Sequence, residues 1–125
     1  MYQPVVVDAL RQDGHTVYDF RNAAAFSWCC IDENWMSWNV DTYLDMLAHP
    51  KSIEGFNSDF NGVLECEAGV LILPCGLSSG IEAGIIYGQG KFVAVYVPEI
   101  REPELMVKAF DFISSDLNSI RLALK

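Results

Sequence analysis

At 125 residues, with 51% hydrophobic and 20% charged side chains, the chain suits one globular domain with a real core, spanning residues 1–125. Its 8 basic and 17 acidic residues leave a net charge of −9, a field that repels phosphate backbones and argues against duplex nucleic acid as a partner while leaving a small ligand open. No apolar run reaches the length of a membrane span, and Met1-Tyr2-Gln3-Pro4 carries no signal-peptide pattern, so no membrane association and a cytoplasmic location are expected.

In chain order, Pro4 at a first-turn position, the apolar residues Val5, Val6, Ala9 and Leu10, and a stop at Gly14 predict a first helix. Thr16-Val17-Tyr18-Asp19-Phe20 predicts a short strand. Residues 21–39 read as a long loop that holds all three tryptophans. Val40 to Ala48 predicts a helix capped by Asn39 and closed by His49-Pro50, and Ile53 to Glu67 a further helix weakened by Gly55 and Gly62. Val70 to Leu73 is a wholly apolar run that ends at Pro74 and reads as a buried parallel strand. A helix over Gly80 to Tyr87, ended by Gly88 and Gly90, leads to the β-branched strand Phe92 to Val97. Pro103 to Ala109 predicts a helix, Asp111 to Ser114 a short last strand, and Asp116 to Leu124 a terminal helix capped by Ser115 or Asp116. Strands alternating with helices imply a parallel sheet with helices on both faces. The chain nevertheless opens on a helix, where such domains usually open on a central strand.

Cys29, Cys30, Cys66 and Cys75 fit no zinc spacing, and His15 and His49 lie far from them in sequence, so no metal centre and no cofactor is predicted. The four read as reduced and mostly buried thiols, with Cys75 a small buried residue at a strand end.

The most informative stretch is Val70 to Gly84. Its turn, Gly76 to Gly80, offers backbone amides to a ligand, and Glu82 is expected in the first turn of the following helix. That places a carboxylate where open α/β sheets bind ligands, at the carboxyl end of a strand and the amino end of a helix.

Across most of its length the chain resembles the nucleoside 2-deoxyribosyltransferase-like family, in particular its small bacterial and phage members of unassigned substrate. The resemblance is carried by Tyr2-Gln3-Pro4, by Gly14 to Asn22, and by the aromatic loop with Phe26-Ser27-Trp28, Ile31-Asp32, Trp35 and Trp38. Gly55-Phe56 with Asp59, Leu73-Pro74-Cys75-Gly76 with Ser78, Glu82, Ala83, Gly84, Gly88 and Lys91, and Pro103-Glu104-Leu105-Met106 complete it. The resemblance implies a three-layer α/β sandwich with a flavodoxin-like parallel sheet, missing the family's opening strand. It also implies cleavage or transfer at the N-glycosidic bond of a nucleoside or nucleotide. Glu82 would be the nucleophile and Asp59 its assistant, with Ser78 or Ser79 and the Gly76 turn holding a hydroxyl or phosphate. Leu77 and Gly80 stand where close relatives carry an arginine and a histidine.

The chemistry asks for a carboxylate at the anomeric carbon and a second group to protonate the leaving base. Trp28 and Trp35 offer π-faces for a nucleobase, or alternatively anchors for a loop or a subunit interface. The competing functional reading is a non-catalytic relative, a nucleotide-binding or protein-interaction module that lost its chemistry with its first strand. Absence of that strand exposes a sheet edge and apolar surface, which predicts either that the strand near 16–20 moves inward to pair with 70–74 or that a homodimer forms, with the tryptophan loop as its anchor.

Overall fold

The computed structural model describes residues 2–19 and 26–125. They divide into a sheet unit, Met1–Tyr18 with Val63–Lys125, and a helical unit, Asp19–Gly62.

The sheet unit is a mixed α/β structure. Its first element, α1 (Gln3–Gln12), carries Pro4 as its second residue, where a missing N–H costs nothing, and buries Val6, Val7, Ala9 and Leu10 along one face. Gly14, at φ +93°, closes it: Gly14 N–H donates to the Arg11 carbonyl at 3.0 Å and His15 N–H to the Leu10 carbonyl at 3.1 Å, so the last carbonyls of the helix are satisfied.

Three parallel strands follow, β1 (Ala68–Ile72), β2 (Phe92–Tyr96) and β3 (Phe112–Ser114), in the spatial order β1-β2-β3. Ala68 pairs with Phe92 and Ile72 with Tyr96, and Ala94 pairs with Phe112. Helix α4 (Leu77–Gly88) crosses from β1 to β2. Gly69 makes room for it, since a Cβ at that position would lie 3.0 Å from Ile86 Cδ1. Val93, Ala94 and Val95 are all 0% exposed. Side chains alternate across a strand, so three consecutive buried residues mean that both faces of β2 are covered. Helix α5 (Leu117–Ala123) packs on β2 and β3, with Ile120 fully buried, and α1 packs on α5. Arg121 on α5 donates from Nε and Nη2 to the two carboxylate oxygens of Asp13 at 2.8 and 2.7 Å. That fork holds the Asp13 carboxyl below the usual carboxylate range and raises the Arg121 guanidinium.

Thr16–Asp19 forms no strand, and Phe20 lies outside the described residues. The Val17 carbonyl, which a strand would need for its ladder, instead accepts from Arg11 Nη2 at 3.2 Å. The inward-shifted pairing with 70–74 is therefore absent for residues 16–19, and among the described residues nothing pairs with the outer edge of β1. The expected helix over Pro103 to Ala109 is reduced to a 3-10 turn at Met106–Ala109.

In the helical unit, 3-10 turns at Trp28–Cys30 and Trp35–Ser37 precede α2 (Val40–Met46). Asn39 Oδ1 caps α2 by accepting from Thr42 N–H at 2.8 Å. Helix α3 (Pro50–Glu65) begins three residues earlier than expected. His49 caps its start through Nδ1, which accepts from Lys51 N–H at 3.1 Å, and Pro50 takes the first helical position. The last turn of α3 belongs to the sheet unit, where Lys91 Nζ donates to the Leu64 carbonyl at 2.6 Å and so satisfies the helix end with a cation.

Candidate functional site

All three strands run the same way, so their carboxyl ends share one edge of the sheet. Leu73 N–H donates to the Tyr96 carbonyl and Val97 N–H to the Ser114 carbonyl, both at 2.9 Å, and there the ladders stop. The Leu73–Pro74 peptide is cis. Beyond these ends lies an open cleft of about 420 Å³. The turn after β1 contributes Leu73, Pro74 and Cys75, and the segment after β2 contributes Val97 and Glu99 to Glu104, with Val107 from the 3-10 turn.

Glu99 is the most constrained polar group of the cleft. Its Oε2 accepts from the Tyr2 hydroxyl at 2.8 Å, and its Oε1 pairs with Arg101 Nε at 3.3 Å. The phenol of Tyr2 is pushed up, first because its proton is held by Glu99 and then by burial. The Arg101 side chain is 76% exposed, so this ion pair orients Glu99 more than it stabilises the fold. Glu99, Glu102 and Glu104 face a single guanidinium, and the cleft is therefore electronegative, with an apolar wall of Leu73, Pro74, Val97 and Val107.

Cys75 corrects an expectation. It is exposed, as are Cys29 and Cys30, and Cys66 is half-buried; all four are free thiols. Local burial of its sulfur, followed by the charge of Glu104, pushes the Cys75 thiol up. At neutral pH it is protonated and a poor nucleophile.

Gly76 is the residue before α4, in extended geometry (φ −84°, ψ 178°), and Ser78 and Ser79 are exposed in the first turn. The helix starts at Leu77 and not at Gly80, so Glu82 is its sixth residue. No acidic residue stands in that first turn, which corrects the expected place of Glu82. Glu82 is half-buried and lies one helical turn after Ser78 on the same flank of α4.

Gly76, Ser78, Ser79 and Glu82 thus fall on one turn and one helix of the sheet unit, next in sequence to the Cys75 wall of the cleft. None of the four lines the cleft. Asp59, Trp28 and Trp35 belong to the helical unit. Asp59 is half-buried on α3. Trp28 sits in an aromatic cluster, edge-on to Phe26 at 4.8 Å, Trp38 at 5.5 Å and Tyr43 at 6.2 Å. The Trp38 indole N–H donates to Asp32 Oδ2 at 2.8 Å, and that bond, with one from Asn34 N–H, holds the Asp32 carboxyl low. Trp35 stands outside the cluster's ring contacts and is 37% exposed.

Sequence reasoning gives Tyr2, Glu99, Arg101 and Glu104 no role in a site. The signal was present: Pro98-Glu99-Ile100-Arg101-Glu102 follows a buried parallel strand directly, as Pro74 to Gly80 does.

A second open cavity, bordered by Tyr87, Gly88, Gly90, Lys91, Phe92 and Asp111, lies at the amino end of β2. Asp111 closes that end, accepting from Val93 N–H at 2.8 Å and donating its own N–H to the Val93 carbonyl at 3.1 Å. This edge serves the sheet. No group of three or more histidine, cysteine or acidic side chains suited to a metal ion occurs among the described residues.

No family model matches the chain, and no curated protein or solved structure matches it significantly.

Proposed function

We propose that the protein binds a nucleoside at the carboxyl edge of β1 and β2, with the base in the cleft and the sugar extending past Cys75 over the Gly76 turn toward Glu82, and cleaves or transfers at its N-glycosidic bond with Glu82 as the attacking carboxylate. The observation that carries the ligand class is the makeup of the cleft: one apolar wall facing an oriented carboxylate. A flat base suits the wall formed by Leu73, Pro74, Val97 and Val107. A carboxylate fixed by a phenol and a guanidinium retains acceptor capacity for sugar hydroxyls, and Glu99 has that role here. Three carboxylates against one guanidinium disfavour a phosphate, so the nucleoside is preferred to its 5′-monophosphate.

In the proposed reaction Glu82 attacks the anomeric carbon through an oxocarbenium-like transition state. The departing base takes a proton, and water or a second base then receives the sugar. Ser78, Ser79 and the amides after Gly76 hold the sugar's remaining hydroxyls. One observation favours a second reading, a nucleoside-binding module without chemistry: Glu82 is absent from the cleft lining.

A panel of ribo- and deoxyribonucleosides and their monophosphates, with free base read by chromatography and binding by calorimetry, separates these readings. Base release from nucleosides that Glu82→Gln abolishes at unchanged Tm is the expected result, and Asp59→Asn then reports whether that carboxylate takes part. Binding without release selects the module. Neither binding nor release refutes both.

A further inference from the structure

Helix α2 carries its apolar face outward. Val40, Tyr43, Leu44 and Leu47 stand at i, i+3, i+4 and i+7, a single stripe on a helix, and they are 71%, 45%, 54% and 47% exposed. The half-buried residues of the same helix, Thr42 and Met46, lie on its other side, where the Met46 carbonyl accepts from the buried Ser52 hydroxyl at 2.7 Å. Asp41 and Asp45 border the stripe without interrupting it. On α3, Ile53 and Phe56 are 48% and 61% exposed, and Phe56 is stacked on Phe60 at 5.1 Å. Among the described residues of the helical unit only Ser52 is buried, so none of the described apolar side chains of that unit is.

We propose that this surface is the two-fold interface of a homodimer, in which α2 of one copy lies antiparallel against α2 of the other. The area points the same way. With about 200 Å² for the full surface of a large apolar residue, the stripe of Val40, Tyr43, Leu44 and Leu47 leaves roughly 430 Å² uncovered, most of the apolar share of a standard face. A standard interface takes about 800 Å² from each partner, some two-thirds of it apolar in homodimers. The charge pattern fits the same occupant. Two copies at −9 each repel through any charged surface, and the stripe is a contact without charge, with Asp41 and Asp45 left at a solvated rim. An antiparallel apolar helix is also self-complementary, as a two-fold axis requires. In this arrangement the anchor is α2 and not the tryptophan loop, where Trp28 and Trp38 are half-buried and Trp28 is in ring contact with Trp38, Phe26 and Tyr43.

Sedimentation equilibrium across micromolar concentrations tests the proposal. The expected mass is twice 14.0 kDa, with a Tm that rises with concentration. Leu44→Glu sets two carboxylates against an apolar partner across the axis and weakens the dimer about a hundredfold, leaving a single-chain species with an unchanged far-UV spectrum. Val40→Lys, on the same stripe, has the same effect with the opposite charge. A single-chain mass for the native protein at every concentration overturns the proposal and leaves the stripe to this chain itself or to another partner. An undiminished dimer in both variants overturns it equally.

Discussion

Gly55 offers a test in which two known effects oppose each other and the structure decides the sign. In the interior of a helix, glycine to alanine is ordinarily stabilising, by about 1 kcal/mol. At Gly55 a Cβ would fall 2.5 Å from Phe26 Cβ, 2.7 Å from Cγ and 2.9 Å from Cδ2. The nearest of these is fixed to the backbone and cannot swing aside, so Phe26 must leave its seat on α3. Overpacking of this kind costs about 1–3 kcal/mol, and with the nearest contact at 2.5 Å to a backbone-fixed carbon the cost falls in the upper part of that range, so the net effect of Gly55→Ala is a loss of up to roughly 2 kcal/mol. Gly84, within α4, has no atom within 4 Å of its hypothetical Cβ, and Gly84→Ala should gain about 1 kcal/mol. For a chain of 125 residues each kcal/mol moves Tm by about 4 °C, so the two variants should melt on opposite sides of the parent. Phe26 sits edge-on to Trp28, and only Gly55→Ala should also change the tryptophan near-UV circular dichroism. In a Phe26→Gly background the same substitution should become stabilising. A Gly55→Ala protein that melts above the parent, with its tryptophan signal intact, would refute the reasoning.

Ile120→Ala removes three buried carbons from a fully enclosed side chain and should cost about 3 kcal/mol in urea unfolding, whereas Ile113→Ala, on the 43%-exposed β3 residue, should cost under about 1 kcal/mol; equal losses would contradict the assignment of the core. Asp13→Asn tests the link between α1 and α5 through pH. The folded-state pKa of Asp13 is depressed, so its contribution is present above the unfolded carboxylate range and disappears as pH falls through the folded value. The variant should therefore be less stable than the parent at neutral pH and should converge with it in acid; a gap independent of pH would assign the loss to packing.

Much of the sheet unit was legible because its signals are local. Val70 to Leu73 and Phe92 to Val97 are apolar runs bounded by proline and glycine, and both became strands. Asn39 and Asp116 are caps whose side-chain oxygens find the expected amides. The failures came where the local pattern had a competitor that it does not report. Thr16–Asp19 alternates like a strand, yet Arg11 takes the Val17 carbonyl. Glu82 was assigned to a first turn because Gly80 looked like a helix start, but glycine is tolerated inside α4, which begins at Leu77. The Tyr2–Glu99 contact joins residues 97 positions apart, a pairing that no periodicity reports. The candidate site was legible as a location, the carboxyl edge of the sheet, and not as a list of side chains.

The contact between α1 and α5 also sets an order of events. Asp13 and Arg121 lie 108 residues apart, and the sheet unit is assembled from the two ends of the described chain with the helical unit between them. During synthesis α1 emerges before every strand, and its packing partner α5 is missing until Ile120 and Arg121 have been added. Domains made of sequence-distant segments close their loops late and fold slowly. From the emergence of α1 to that of α5 the nascent chain therefore carries an incompletely covered amphipathic helix, a form that chaperones bind and that self-associates readily. Helix α5, only seven residues long, acts as the latch that ends that exposure.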